Sequence, residues 1–284
     1  MTMTANTVSV AVIGYGEVGR IFSKALLMLP HVRVSAYDIL FDDPADGPRR
    51  IAEAREDGVN SGTSAAAAAA GADLVFSAVT ADRTLAVAEA AAGYLQPGQI
   101  FVDINSASPV TKRTAAELIG PTGAHYVEGA VMSPVLPVGL RVPILAGGPA
   151  AERTAALLNA LGMNVTPVTS EPGRASAMKL CRSIMIKGIE ALIIDCAHAA
   201  RSWGVEKEVY SSLSDTFPSV DWPKLAETMS ARVAKHGVRR AAEMREAAEM
   251  IADIGRNPDL CRSIADSHER HARTHGGAAN SRMK

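Results

Sequence analysis

From residue 8 to about residue 170, short β-branched runs alternate with alanine-rich stretches of helical period, the rhythm of a parallel sheet with crossover helices. The runs Val8 to Ile13, Val32 to Tyr37, Leu74 to Val79, Ile100 to Ile104, His125 to Val127, Val142 to Ala146 and Asn164 to Val168 are mostly apolar rather than alternating. Strands covered by helices on both faces read this way. Helices are expected over Glu17 to Met28, Arg83 to Tyr94 and Pro109 to Ile119, the last opened by a Ser108 cap and a proline in its first turn. The run Ala65 to Ala70 has Thr63 and Ser64 before it as caps and Gly71 after it as a stop, which predicts a short packed helix.

After Glu171-Pro172-Gly173 the strand-like runs end and helical pattern continues to about Arg273. Two domains are therefore expected: a doubly wound α/β sheet over residues 1–171 and an all-helical domain over 172–284, joined by a long helix from Arg174 to Trp203. That helix holds no proline, one glycine (Gly188), and apolar residues around most of its circumference, so it is expected to be buried between domains or between subunits. The expected assembly is a homodimer formed through the C-terminal helical domain. Trp203 and Trp222 read as packing residues.

Composition narrows the function classes. With 29 Lys and Arg against 30 Asp and Glu, the net charge of -1 gives no global field that would draw the chain to nucleic acid or anionic lipid, and a small molecule is the expected partner. A hydrophobic fraction of 48% with 21% charged residues excludes disorder. The opening residues lack a basic leader and their apolar run breaks at Gly14, so a cytoplasmic protein without a membrane span is expected. Cys181, Cys196 and Cys261 lie far apart with no metal-ligand spacing; they read as buried thiols, and no metal site is expected.

Gly14-Tyr15-Gly16-Glu17-Val18-Gly19 directly follows the first strand and opens the first helix. Its first glycine permits a tight turn, its second lets the backbone approach a pyrophosphate, and its third lets helix and strand pack closely, while the helix N-terminus faces the phosphate charge. A second strand ends about 20 residues further on at Asp38, where a carboxylate would hydrogen-bond the adenosine ribose. The first domain is thus expected to be of Rossmann type, with Gly14, Tyr15, Gly16, Glu17, Val18, Gly19, Asp38, Val79 and Asn105 on the cofactor. Asp38 repels a 2'-phosphate and favours NAD; NADP stays open because Arg33, Arg49 and Arg50 are near in sequence.

Three further stretches sit where such a sheet presents its ligand edge: Val102 to Pro109, Glu128 to Pro134, and Gly173 to Ser183. Together and in this order they resemble the motifs of the β-hydroxyacid dehydrogenase superfamily, which includes 3-hydroxyisobutyrate and 6-phosphogluconate dehydrogenases. The resemblance covers essentially the whole chain. It implies that Asp103 to Pro109 is a substrate and nicotinamide motif, that Ser133 holds a substrate carboxylate, and that Lys179 is the catalytic lysine. Ser183 stands where the family carries asparagine, and Pro134 replaces a glycine. The run from Lys179 to Leu192, with His236 to Met244, is similar to a bacterial branch of 6-phosphogluconate-dehydrogenase-like oxidoreductases.

Helical spacing also places Lys179, Ser183 and Lys187 on one stripe, with Glu190 returning near the Lys179 direction. A polar stripe on an otherwise apolar helix must have partners or line a cavity. The expected chemistry is proton abstraction by Lys179 from a substrate hydroxyl as hydride leaves the same carbon, in a 3-hydroxy acid or related hydroxymethyl compound. Ser106, Ser133, Ser183, Lys187, His236 and Arg239 are the expected substrate contacts. For Lys187 and Glu190 a buried ion pair is the other reading, and for Arg239 a surface pair with Glu243. Imine reduction on the same scaffold and a non-catalytic dinucleotide sensor are the alternative functions.

Overall fold

The computed structural model describes residues 7–280. The chain divides into two compact units, Met1–Lys179 and Leu180–Lys284. The division falls inside the long helix rather than at the expected position 171/172. The physical reason is that the first turn of that helix is hydrogen-bonded to Glu128 of the sheet, through the backbone N–H groups of Ala175 and Ser176.

The first unit is an eight-stranded sheet of order β3-β2-β1-β4-β5-β6-β7-β8. Its strands are β1 (Val8–Ile13), β2 (Val32–Tyr37), β3 (Asn60–Ser61), β4 (Leu74–Ser77), β5 (Ile100–Asp103), β6 (His125–Val131), β7 (Pro143–Gly147) and β8 (Asn164–Thr169). All neighbours are parallel except β6 and β7. Successive residues of β1 serve opposite faces. Val10 and Val12 pack with Phe22, Phe76 and Val102, while Ala11 and Ile13 pack with Val75, Phe101 and Ile119. Two cores, one on each face, explain why the strand runs carry so few polar residues.

The crossover helices are α1 (Glu17–Leu27), α2 (Gly47–Glu56), α3 (Ala65–Ala69), α4 (Thr84–Ala92), α5 (Pro109–Ile119) and α6 (Ala151–Ala160). Ser64 and Ser108 cap α3 and α5 by accepting from the N–H groups of Ala67 and Thr111. β3 and α2 carry no strong pattern in the sequence, whereas α6 buries Ala151, Thr154, Ala155 and Leu158 at helical spacing. β3 has two residues, and in α2 only Gly47 and Ala54 are buried. β6 runs to Val131, beyond the expected end at Val127, and its extension pairs with β7.

In the helical unit, α7 (Arg174–Trp203, continuing from the first unit) is followed by α8 (Glu206–Thr216), α9 (Trp222–Asp253) and α10 (Asp259–Asn280). α9 and α10 approach closely at Gly237, where a Cβ would collide with the His268 carbonyl oxygen. Val233, Ala241, Met244, Ala247, Ile264 and Ala265 are buried there. Two expectations need correction. Trp203 is 83% exposed and is not a packing residue, whereas Trp222 packs edge-on against Phe217. Of the cysteines only Cys261 is buried; Cys181 is exposed and Cys196 half-buried. Within one chain α7 buries Leu180, Ala191, Ile194 and Ala197 and leaves Met185 and Leu192 63% and 72% exposed. Among the described residues no helix is long and apolar enough to cross a membrane.

Candidate active site

The carboxyl ends of β1, β2, β4, β5 and β6 lie on one edge of the first unit, and the chain winds outward from β1 to β2 and β3 before crossing back to β4 on the other side of β1. A crevice opens at such a reversal. Gly14 adopts φ +98, and a Cβ there would lie 2.5 Å from the Ala78 carbonyl oxygen. A Cβ at Gly19 would collide with the Gly14 carbonyl oxygen. At Gly16 a Cβ would meet nothing within 4 Å. That residue is exposed and sits immediately before the first turn of α1, whose N–H groups have no partner inside the helix. Open space beside a tight glycine turn and a helix N-terminus fits a dinucleotide pyrophosphate.

The remaining cofactor candidates divide by which atoms they offer. Asp38 Oδ2 accepts from Tyr15 N (2.7 Å) and Oδ1 from Leu40 N (2.9 Å), so its carboxylate is fixed at the end of β2 with acceptor capacity left. Tyr15 contributes backbone alone. Its ring is buried against Phe41 and its hydroxyl donates to Asp57 Oδ2 at 3.1 Å, and burial followed by the Asp57 charge pushes its pKa well above the usual phenol range. Glu17 is exposed on the first turn of α1, Val18 packs toward the core, and Val79 N donates to Asn105 Oδ1 at 2.7 Å. Arg49 pairs with Asp46 and Glu53, Arg50 pairs with Asp46, and Arg33 is exposed on β2.

Asn105 uses its side chain within the protein: Oδ1 receives Val79 N, and Nδ2 donates to Ser77 Oγ at 2.9 Å. It joins the end of β4 to the loop after β5. Beneath it lies a buried cluster whose members Lys112 and Tyr126 carry no local motif in the sequence. Asp103 accepts from Tyr126 Oη (2.8 Å), from Asn105 N (3.0 Å) and from Lys112 Nζ (2.7 Å). Lys112 and Asp103 are almost fully buried, a pairing acceptable because every charge has hydrogen-bond partners. Burial, with the Asp103 charge second, pushes the Tyr126 phenol pKa far up. The next residue, Ser106, is half-buried and accepts from Lys179 Nζ at 3.0 Å. Ser133 follows β6 on the same edge, half-buried.

Glu128 sets the position of the lysine. Its Oε1 receives Ala175 N (3.0 Å) and its Oε2 receives Ser176 N (3.3 Å) and Ser176 Oγ (2.7 Å), so a fully buried carboxylate caps the start of α7. The favourable dipole and hydrogen bonds at a helix N-terminus hold an anion there. The partners are 47 and 48 residues apart, so nothing local to Glu128 in the sequence marks its role.

The helical unit holds a second polar cluster. Ser183 Oγ donates to Glu243 Oε1, and Lys187 Nζ lies 3.0 Å from Glu243 Oε2. Glu190, wholly buried, accepts from Arg240 and, at 3.2 Å, from Arg232. Lys187 therefore pairs with Glu243 instead of Glu190, and Arg240, not Arg239, is the inward cation. Arg239 is exposed and His236 half-buried. Burial lowers the Lys187 pKa against the opposing pull of Glu243, and His236 is lowered by burial and by the neighbouring arginines and Lys235. His268, fully buried 3.8 Å from Glu190, is pushed by burial down to about 4 and is neutral at neutral pH.

Residues 9–169 match the NAD binding domain of 6-phosphogluconate dehydrogenase, and residues 200–271 match a domain of unknown function, DUF1932. A conserved hypothetical protein from Sinorhizobium meliloti 1021 is 40% identical with a TM-score of 0.84, over 93% of this chain and 88% of that one. MTH1747, a conserved protein of unknown function described as structurally similar to 3-hydroxyacid dehydrogenases, is 32% identical with a TM-score of 0.76, over 95% and 99%. The chain belongs to the β-hydroxyacid dehydrogenase superfamily. A Mycobacterium tuberculosis 3-hydroxyisobutyrate dehydrogenase, solved with L-serine, shares the superfamily fold at 19% identity and a TM-score of 0.77, each chain covered to 95%. Membership makes this protein an NAD(P)-dependent oxidoreductase at the level of the superfamily.

Proposed function

We propose that this protein oxidises a small 3-hydroxy acid or related hydroxymethyl compound, reversibly, with Lys179 as general acid and base. The observation that carries the reading is the 3.0 Å hydrogen bond from Lys179 Nζ to Ser106 Oγ at the strand-end edge beside the glycine turn. A bound nicotinamide supplies the hydride acceptor. In the oxidative direction Lys179 Nζ takes the hydroxyl proton, and in the reverse direction its ammonium form polarises the carbonyl. Ser106 orients the lysine, Ser133 contacts the substrate carboxylate, and Asn105 with the Asp103–Lys112–Tyr126 cluster keeps the Ser106 loop in place. Ser183 and Lys187, engaged by Glu243, support the helix rather than touch substrate.

The cofactor reading is NAD. Asp38 presents a fixed carboxylate where a 2'-phosphate would sit, and Arg49 and Arg50 are occupied by Asp46 and Glu53. The assembly reading is a homodimer in which a second copy covers the exposed apolar face of the helical unit, Met185, Ile189, Leu192 and Leu260.

The test is appearance of reduced nicotinamide, followed by absorbance, with a panel of 3-hydroxy acids in NAD and NADP, with Lys179→Ala alongside. A lysine-dependent signal in NAD supports the reading. A preference for NADP overturns the role given to Asp38. Silence across the panel despite dinucleotide binding shifts the reading to imine reduction or a non-catalytic role.

A further inference from the structure

Three histidines of the helical unit come together from two helices. His198 lies on α7, and His271 and His275 lie one turn apart on α10. The His271 and His275 rings stack with centroids 4.3 Å apart and an interplanar angle of 22°. The His198 ring lies 5.6 Å from His275 and 5.7 Å from His271. One ring nitrogen of each residue falls within 4.8 Å of the other two.

The hydrogen bonds of the cluster fix where the protons are. His271 Nε2 lies 3.1 Å from the Ser230 carbonyl oxygen and 3.0 Å from its hydroxyl. His275 Nδ1 lies 3.2 Å from the His271 carbonyl oxygen. A carbonyl can only accept, so those two nitrogens carry the protons and each neutral ring keeps one unshared pair on its other nitrogen. Anchoring one imidazole nitrogen to a carbonyl is the arrangement that orients a histidine for a metal on the other.

The surroundings suit a cation with solvent ligands. A cavity of about 270 Å³ beside His198 and Ser230 is lined by Arg201 and Glu227. The charge of Arg201 is met by Glu206 at 3.0 Å, and Asp195 lies on the same helix as His198. Ligand nitrogens around a tetrahedral ion at about 2.0–2.1 Å stand about 3.4 Å apart. His198 and His275 are exposed, so modest rotation of those two rings closes the gap.

We propose that His198, His271 and His275 form a binding site for a divalent transition metal of the imidazole-preferring class (zinc, cobalt, nickel or copper), completed by solvent and tying α10 to α7. The site lies in the helical unit, and its role is to brace these helices. It stands independently of the reaction proposed for Lys179.

The test uses the untagged full chain, freed of metal by a chelator and titrated with Co²⁺ as an optical probe, then with Zn²⁺ in competition. One Co²⁺ per chain with a visible ligand-field band, displaced by Zn²⁺, together with a rise in unfolding temperature on adding Zn²⁺, is the expected result. His198→Ala combined with His275→Ala, both at exposed positions, is expected to weaken binding at least 100-fold while leaving the circular dichroism spectrum unchanged. His236→Ala is expected to leave binding as it was. Absence of a ligand-field band in the parent chain, or stoichiometric binding that survives in the double variant, overturns the proposal.

Discussion

The two units bury charge in opposite ways. In the sheet unit the buried groups are fed by backbone: Glu128 receives two helix N–H groups and Asp103 one, with Lys112 and Tyr126 completing the latter. In the helical unit every backbone N–H inside a helix is already donated to that helix, so Glu190 and Glu243 rely on side chains from α7 and α9. Strand ends and helix starts leave orphan donors that can bind something else, and helix interiors do not. On the proposed reading this is why the sheet edge carries the chemistry, and the polar stripe of the helical unit braces α7 against α9.

The largest effect tests which unit carries the reaction. Lys179→Ala should lower kcat by about 10³, or ~4 kcal/mol of barrier, and leave dinucleotide affinity unchanged. Stopped kinetics and cofactor titration separate the two quantities. If Lys187→Met abolished turnover as thoroughly without loss of stability, the division of labour between the units would be wrong.

The next effect is a pH dependence specific to the helical unit. His268 has its pKa lowered to about 4, against the ordinary 6.5 of an unfolded histidine. Between those values the unfolded chain binds the proton and the folded chain does not. Its contribution to stability is therefore fully present above pH 6.5 and is lost as the pH falls toward 4, by about 3 kcal/mol in all. Denaturant unfolding across this range measures it, and His268→Leu should flatten the profile. An unchanged profile would show that other groups dominate.

A smaller effect sharpens the role of backbone donors in the sheet unit. Glu128→Gln keeps the shape but removes the charge and turns an amide donor toward N–H groups, costing about 2 kcal/mol. Thermal unfolding should show this, with kcat reduced because the start of α7 carries Lys179, and Glu128→Asp should recover neither fully. The smallest expected effect is cofactor choice: Asp38→Asn should shift the ratio of kcat/KM for NAD over NADP by about tenfold, ~1.4 kcal/mol. No change in that ratio would remove Asp38 from cofactor discrimination.

Legibility followed distance along the chain. Gly14 to Gly19 was readable because a strand, a turn and a helix start are consecutive, and the glycines mark close approaches within that segment. Ser106 and Lys179 were named because each sits in its own motif, although their contact spans 73 residues. Asn105 was named for the cofactor, yet both its amide atoms bind protein, since a side chain's target depends on what the neighbouring strand end offers. The sequence marks Arg239, yet Arg240 is the residue that reaches Glu190, because adjacent helical positions differ by about 100° and only the packed structure places the facing helix.

The sequence by itself determined the sheet, the glycine turn, the edge on which the loops meet and the helix that bears the lysine, because periodicity and turn chemistry are local properties of the chain. The tertiary structure decided which partner each buried charge has: Glu128 for the N-terminus of α7, Lys112 for Asp103, and Glu243 for Lys187. A buried charge is tolerated only with a matched partner, and packing between distant segments selects which of many suitable residues becomes that partner.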